Sequence, residues 1–233
     1  MNVSKRLLSV MLALAMLLGM MTMMTACNDA DDTDGDGGAE GGGYTVIVKT
    51  AAGSDARMNG CELPVIINSG SGNQGMTASL PVIVYAREMG VSQELRYRAL
   101  LVSNLTTIHL KTGTCCLSAY CCAISAGWGA GAGVMYLHGG RLEEISHTLV
   151  NAPAINSGVV CDGAKASCAA KTASAVESGL LGMQMYMHGK QCYGGDGIVA
   201  SNVESTIRNV GQLAQSGMAE TDREIIRIKL SGN

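Results

Sequence analysis

The chain has 233 residues, room for one sizeable domain with an appendage, and carries a net charge of −3 with its Lys and Arg scattered. It has no basic stripe interleaved with aromatic residues, so nucleic acid is excluded as a partner. With 31 Gly, 3 Pro, one Trp and no Phe, a core must come from aliphatic residues and Met with close backbone contacts at glycine, which suits tightly packed helices.

Residues 1–27 form a separate object. MNVSKR carries two cations, Leu7 to Met24 is uncharged, and MTAC places small residues before Cys27. This is the order of a bacterial lipoprotein export signal with Cys27 as the lipidated residue; an uncleaved anchor is the alternative. If the signal is used, the expected location is that of a membrane-anchored lipoprotein that meets the membrane only through this segment. Residues 28–43, NDADDTDGDGGAEGGG, are acidic and glycine-rich without apolar periodicity, and read as a disordered linker. The folded domain is expected over 44–233.

Within it, YTVIVKT (Tyr44 to Thr50) is β-branched and reads as a short strand. Helices are expected over Gln74–Met89, Ser92–Lys111, Cys116–His138, Arg141–Asn151, Lys165–His188, Ser201–Gly217 and Thr221–Leu230, several of them stopped by a following Gly. The fold class is mainly α, a buried glycine- and alanine-rich helical domain. The uncharged run Thr112 to Gly140 is long enough to span a bilayer, yet its Gly, Ala, Ser and Cys content reads better as a helix buried on all sides.

GSGNQG, Gly70 to Gly75, matches the dinucleotide fingerprint G-x-G-x-x-G and opens a helix. The acidic residue ending a second buried strand, which that fingerprint requires, is absent, since REMGVSQELR is polar and runs into another helix. What remains is an anion site at a helix N-terminus, with Asn68, Ser69, Gly70, Ser71, Gly72 and Asn73 as candidate ligands for a substrate carboxylate.

Nine cysteines, several of them adjacent, fit no obvious disulfide framework and read as reduced thiols. Asp162 is a good N-cap for a helix starting at Gly163 or Ala164, which places Cys161 just outside the helix and Cys168 in its second turn. Spacing alone leaves Cys161 and Cys168 as ordinary buried cysteines or as ligands of a cluster. Lys165 is a candidate general base.

SDARMNGCELPVIINSGSGNQGMTASLPV, LSAYCCAISAGWGAGAG, YLHGG, GVVCDGAKASCAAK and VESTIRNVGQLAQSGMAETDREII together resemble the C-terminal, alpha-type half of the serine dehydratase-like family that includes bacterial L-cysteine desulfidase. The resemblance implies a lyase with a 4Fe-4S cluster held by three cysteines, here Cys121, Cys161 and Cys168. It implies β-elimination on a small amino acid, converting L-cysteine to pyruvate, ammonia and sulfide, or L-serine to pyruvate and ammonia. An N-terminal half would come from a separately encoded partner or the chain would work as a homo-oligomer. A non-catalytic exported lipoprotein that uses the domain for binding is the rival reading.

Overall fold

The computed structural model describes residues 42–114 and 118–231, which belong to one compact unit, Ala39–Asn233. Cys27, the proposed signal and most of the acidic linker lie outside the described residues. The elements in chain order are α1 (Gly42–Met58), α2 (Gly72–Glu88), α3 (Gln93–Thr112), α4 (Cys122–Leu137), α5 (Leu142–Ile155), α6 (Cys168–Met187), α7 (Val203–Gln212), a π-helical turn (Leu213–Gly217) and α8 (Ala219–Leu230). Among the described residues there is no strand, only the isolated bridges Asn68–Ser71 and Tyr120–Val160. The mainly α expectation holds.

α4 is the axis. Nearly every residue from Ala123 to Leu137 is buried, and no helix among the described residues is long and apolar enough to cross a membrane. Glycine makes this possible on two sides. A Cβ at Gly127 or Gly131 would lie 2.0 or 2.4 Å from the carbonyl oxygen of Ala175 or Gly179 on α6, so backbone meets backbone there. On the other side Gly129 and Gly133 pack against Ser103, Thr107 and the Ala99 carbonyl of α3.

These contacts also fix direction. Gly127 with Ala175 and Gly131 with Gly179 make α4 and α6 parallel, while Gly129 with Ser103 and Thr107 and Gly133 with Ala99 make α3 antiparallel to α4. α2 and α3 are joined by a short turn through Gly90 (φ +61°) and exchange the Ser103-to-Ala78 hydrogen bond (2.6 Å). α1 runs against α2, Gly53 facing Met76 and Leu80 while Arg57 reaches Asn73. The N-termini of α2, α4 and α6 therefore share one end of the bundle, together with the C-terminus of α1.

Three expectations are corrected. Tyr44 to Thr50 is part of α1, not a strand: Val46, Thr50 and Ser54 recur every four residues on one fully buried face, and Thr50 donates to the Val46 carbonyl (2.8 Å). Burial of that face overrides the β-branched propensity. α6 starts at Cys168 with Ser167 as N-cap, not after Asp162, and Cys168 is its first residue. The Asp162 carboxylate is committed to Lys171 instead, and Gly163 turns the chain at φ +108°. α4 likewise begins at Cys122 rather than Cys116, because residues 119–121 are drawn into pairing with 159–161. The helix stops at Gly139 (φ +89°) and Gly189 (φ +68°) are as expected.

Candidate functional site

At the shared end of the bundle, the Tyr120–Val160 bridge aligns two segments distant in sequence. Cys121 donates its N–H to the Val159 carbonyl (2.9 Å) and Cys161 donates to the Ala119 carbonyl. Tyr120 fixes the register: its hydroxyl donates to the Ser157 carbonyl (2.7 Å) and its ring lies where a Cβ of Gly158 would sit. Ser118 ties the first segment to the π-helical turn by donating to the Ala214 carbonyl (2.8 Å).

The bridge sets the Cys121 and Cys161 side chains on one face of the paired segments, close enough for each thiol to shift the other's acidity. Interaction with Cys161, aided by burial, pushes the Cys121 thiol up. Cys161 is lowered to about 6 by its interaction with Cys121, against its partial burial, with further help from the Gly163 N–H and the Lys171 ammonium. For Lys171 burial opposes the charge, but its bond to Asp162 and the nearby thiols outweigh that and raise its pKa. Asp162 is held below the usual carboxylate range by Lys171. Lys229 of α8 donates to the Asp162 carbonyl, closing the turn from outside.

An expected result follows for the iron-free, reduced chain. Alkylation of Cys161 by iodoacetamide, followed by peptide mass spectrometry, rises with pH through a midpoint near 6 rather than the 9.0 of an ordinary thiol. Cys121→Ala and Lys171→Met each move that midpoint upward; an unmoved midpoint near 9 in the parent chain contradicts the paired arrangement.

Cys168 stands apart from the pair. At the first position of α6 its sulfur contacts the Gly163 carbonyl (3.6 Å). Among the described residues no three His, Cys, Asp or Glu side chains are grouped as metal ligands. For a cluster the donor set is right in kind: two thiols lie together beside the Lys171–Asp162 ion pair, and the third sits at the far end of the turn 162–167. Lys165 lies exposed on that turn, where its carbonyl accepts from the Cys168 N–H (2.9 Å).

The glycine-rich loop lies at the same end of the bundle, at the N-terminus of α2. Ser69 (φ +48°) and Gly70 (φ +92°) make a left-handed turn between Asn68 and Ser71, whose N–H and C=O groups pair both ways at 3.1 Å. Its side chains are largely occupied within the protein. Asn68 donates to Asn104 (2.9 Å), Ser69 donates to Asn68 (2.9 Å), Ser71 caps the Gln74 N–H (3.4 Å), and Asn73 accepts from Arg57 (3.1 Å). What the loop offers an anion is the first-turn N–H groups of α2, with Arg57 beside them.

Sequence reasoning missed Arg57 and Lys171, and it missed four buried polar side chains. Ser54, Gln74, Ser125 and Thr172 are fully buried, and their side-chain polar atoms find no hydrogen-bond partner among the described residues. All four lie within about a turn of the shared helix end. Such atoms are costly unless a water or ligand satisfies them. The signal that could have found two of them was the helical i, i+4 spacing of Cys121 with Ser125 and of Cys168 with Thr172.

The serine dehydratase alpha chain family matches residues 3–227. The chain belongs to this family. Relatives include UPF0597 proteins of Desulfitobacterium hafniense (66% identical, covering 78% of this chain and 42% of that protein), Lachnoclostridium phytofermentans (56% identical, 78% and 43%) and Treponema denticola (50% identical, 78% and 42%). The chain thus spans less than half the length of these curated relatives. No solved structure matches it.

Proposed function

We propose that this serine dehydratase alpha-type chain is the cluster-bearing part of an iron-sulfur lyase that removes the β-substituent of a small amino acid, L-cysteine or L-serine, to give pyruvate and ammonia, with sulfide released from cysteine. The observation that carries this reading is the bridge-aligned Cys121–Cys161 pair beside Lys171 at the end where three helix N-termini meet. Cys121, Cys161 and Cys168 would hold the 4Fe-4S group. When bound, that group supplies a Lewis acid for the leaving thiol or hydroxyl.

The remaining work falls to the protein's own residues. The N-terminus of α2, within the Asn68–Asn73 loop, and the Arg57 guanidinium hold the substrate carboxylate. The unpartnered groups of Gln74, Ser125 and Thr172 take hydrogen bonds that a zwitterionic substrate or its water shell provides. A second polypeptide, equivalent to the part of the relatives that this chain does not match, completes the enclosure.

The test is anaerobic purification of the full chain with iron and sulfide assay, alongside Cys121→Ala, Cys161→Ala and Cys168→Ala. About four irons per chain, lost in each variant, is the expected result. A folded protein that takes up no iron on reconstitution, or a Cys168→Ala variant that keeps all its iron, rejects the assignment.

A further inference from the structure

α3 is patterned inside out. The face it buries carries Ala99, Ser103 and Thr107 with Leu110, because the glycines of α4 leave room only for small side chains there. Its larger apolar residues point the other way: Tyr97, Leu101, Leu105 and Ile108 recur at helical spacing and are 53%, 59%, 60% and 45% exposed. The stripe runs roughly 16 Å along the helix at 1.5 Å per residue. Beside it lies the segment before α2, where Leu63, Ile66 and Ile67 are exposed as well. The hydrogen bond of Asn68 to Asn104 joins the two patches, since Asn104 sits next to Leu105 and Asn68 next to Ile67.

A helix that buries Ser and Thr while exposing Leu, Leu and Ile has a second core face, and a continuous apolar surface of this kind marks an interface. Its occupant follows from length. Relatives at 50 to 66% identity have more than half of their length outside the match, in the same polypeptide and so always at hand to cover this stripe. We infer that the outer face of α3, with Leu63, Ile66 and Ile67, is the docking surface for a polypeptide equivalent to that unmatched part of the relatives. The surface borders the Asn68–Asn73 loop, so the docked polypeptide would wall the helix end that holds the paired thiols. The inference needs only the family membership and the exposed face; it stands or falls apart from the iron chemistry.

The experiment co-expresses the full chain, carrying an affinity tag, with the part of the Desulfitobacterium hafniense relative outside the match, and reads stoichiometry by light scattering and affinity by titration. A one-to-one complex is expected. Leu101→Glu with Leu105→Glu should weaken it at least a hundredfold while leaving the helical circular dichroism unchanged, and Ile226→Glu with Ile228→Glu on α8 should leave binding intact. Failure to co-purify overturns the inference. So does a complex indifferent to the α3 variant, or a chain that forms its own dimer through the same residues, which would make a second copy the occupant.

Discussion

Gly179→Ala should destabilise the protein by about 3 kcal/mol, the upper part of the range for forcing a group into a packed interior. The added Cβ would stand 2.0 Å from the Gly127 carbonyl oxygen, an atom of the α4 backbone that no rotamer change can move aside. In an ordinary helix interior the same exchange gains about 1 kcal/mol, so the sign itself is diagnostic. Gly53→Ala on α1 supplies the contrast. Its new Cβ would meet only the flexible ends of Met76 and Leu80, at 3.3 and 3.4 Å, and a change of less than about 1 kcal/mol in either direction is expected. Urea midpoints of the two variants measured together decide the point: a Gly179→Ala midpoint at or above the parent's would rule out the α4–α6 contact as described.

Trp128→Ala carries an effect of similar or larger size. The ring is fully buried among Leu110, Ile124, Leu149 and Val210, where α4 meets its neighbours, and truncation to Ala at such a site costs about 3–5 kcal/mol. Set against a net stability of roughly 5–15 kcal/mol for a domain, that loss is enough to leave much of the chain unfolded on warming. Trp128→Phe should be much milder, under about 2 kcal/mol, because it retains a ring and removes an indole N–H that has no partner among the described residues. As the only tryptophan in the sequence, Trp128 also reports on itself. Its fluorescence should be blue-shifted in the native protein and shift red on unfolding at the same urea concentration as the loss of helix. A native emission typical of exposed indole would contradict the placement.

The helical architecture was legible wherever punctuation was local. Gly90, Gly139 and Gly189 end helices because a left-handed residue is needed at each, and Ser92 and Ser71 cap the helices they precede. α1 was not legible, because its buried face mixes Val46 with Thr50 and Ser54 and so hides a period of four under polar residues. Asp162 misled for a related reason: an acceptor suited to capping was claimed by the charge of Lys171, a choice that only tertiary structure settles. The cysteines were nominated by resemblance, whereas their pairing depends on a single bridge between Tyr120 and Val160, far too short to leave an alternating pattern.

That bridge also sets an order of events. Tyr120 and its partner Ser157 are 37 positions apart, and the span between them includes all of α5. Closing a loop of that length costs little more than closing one half as long, about 0.6 kcal/mol. Residues 119–121 and 159–161 flank α4 and α5, so the pairing needs both helices packed in place. In a newly made or extended chain Cys121 and Cys161 are two independent thiols of ordinary acidity. The acidity at Cys161 belongs to the fold rather than to the residue, because Cys121, the Gly163 N–H and Lys171 come together around it only when the helices have packed.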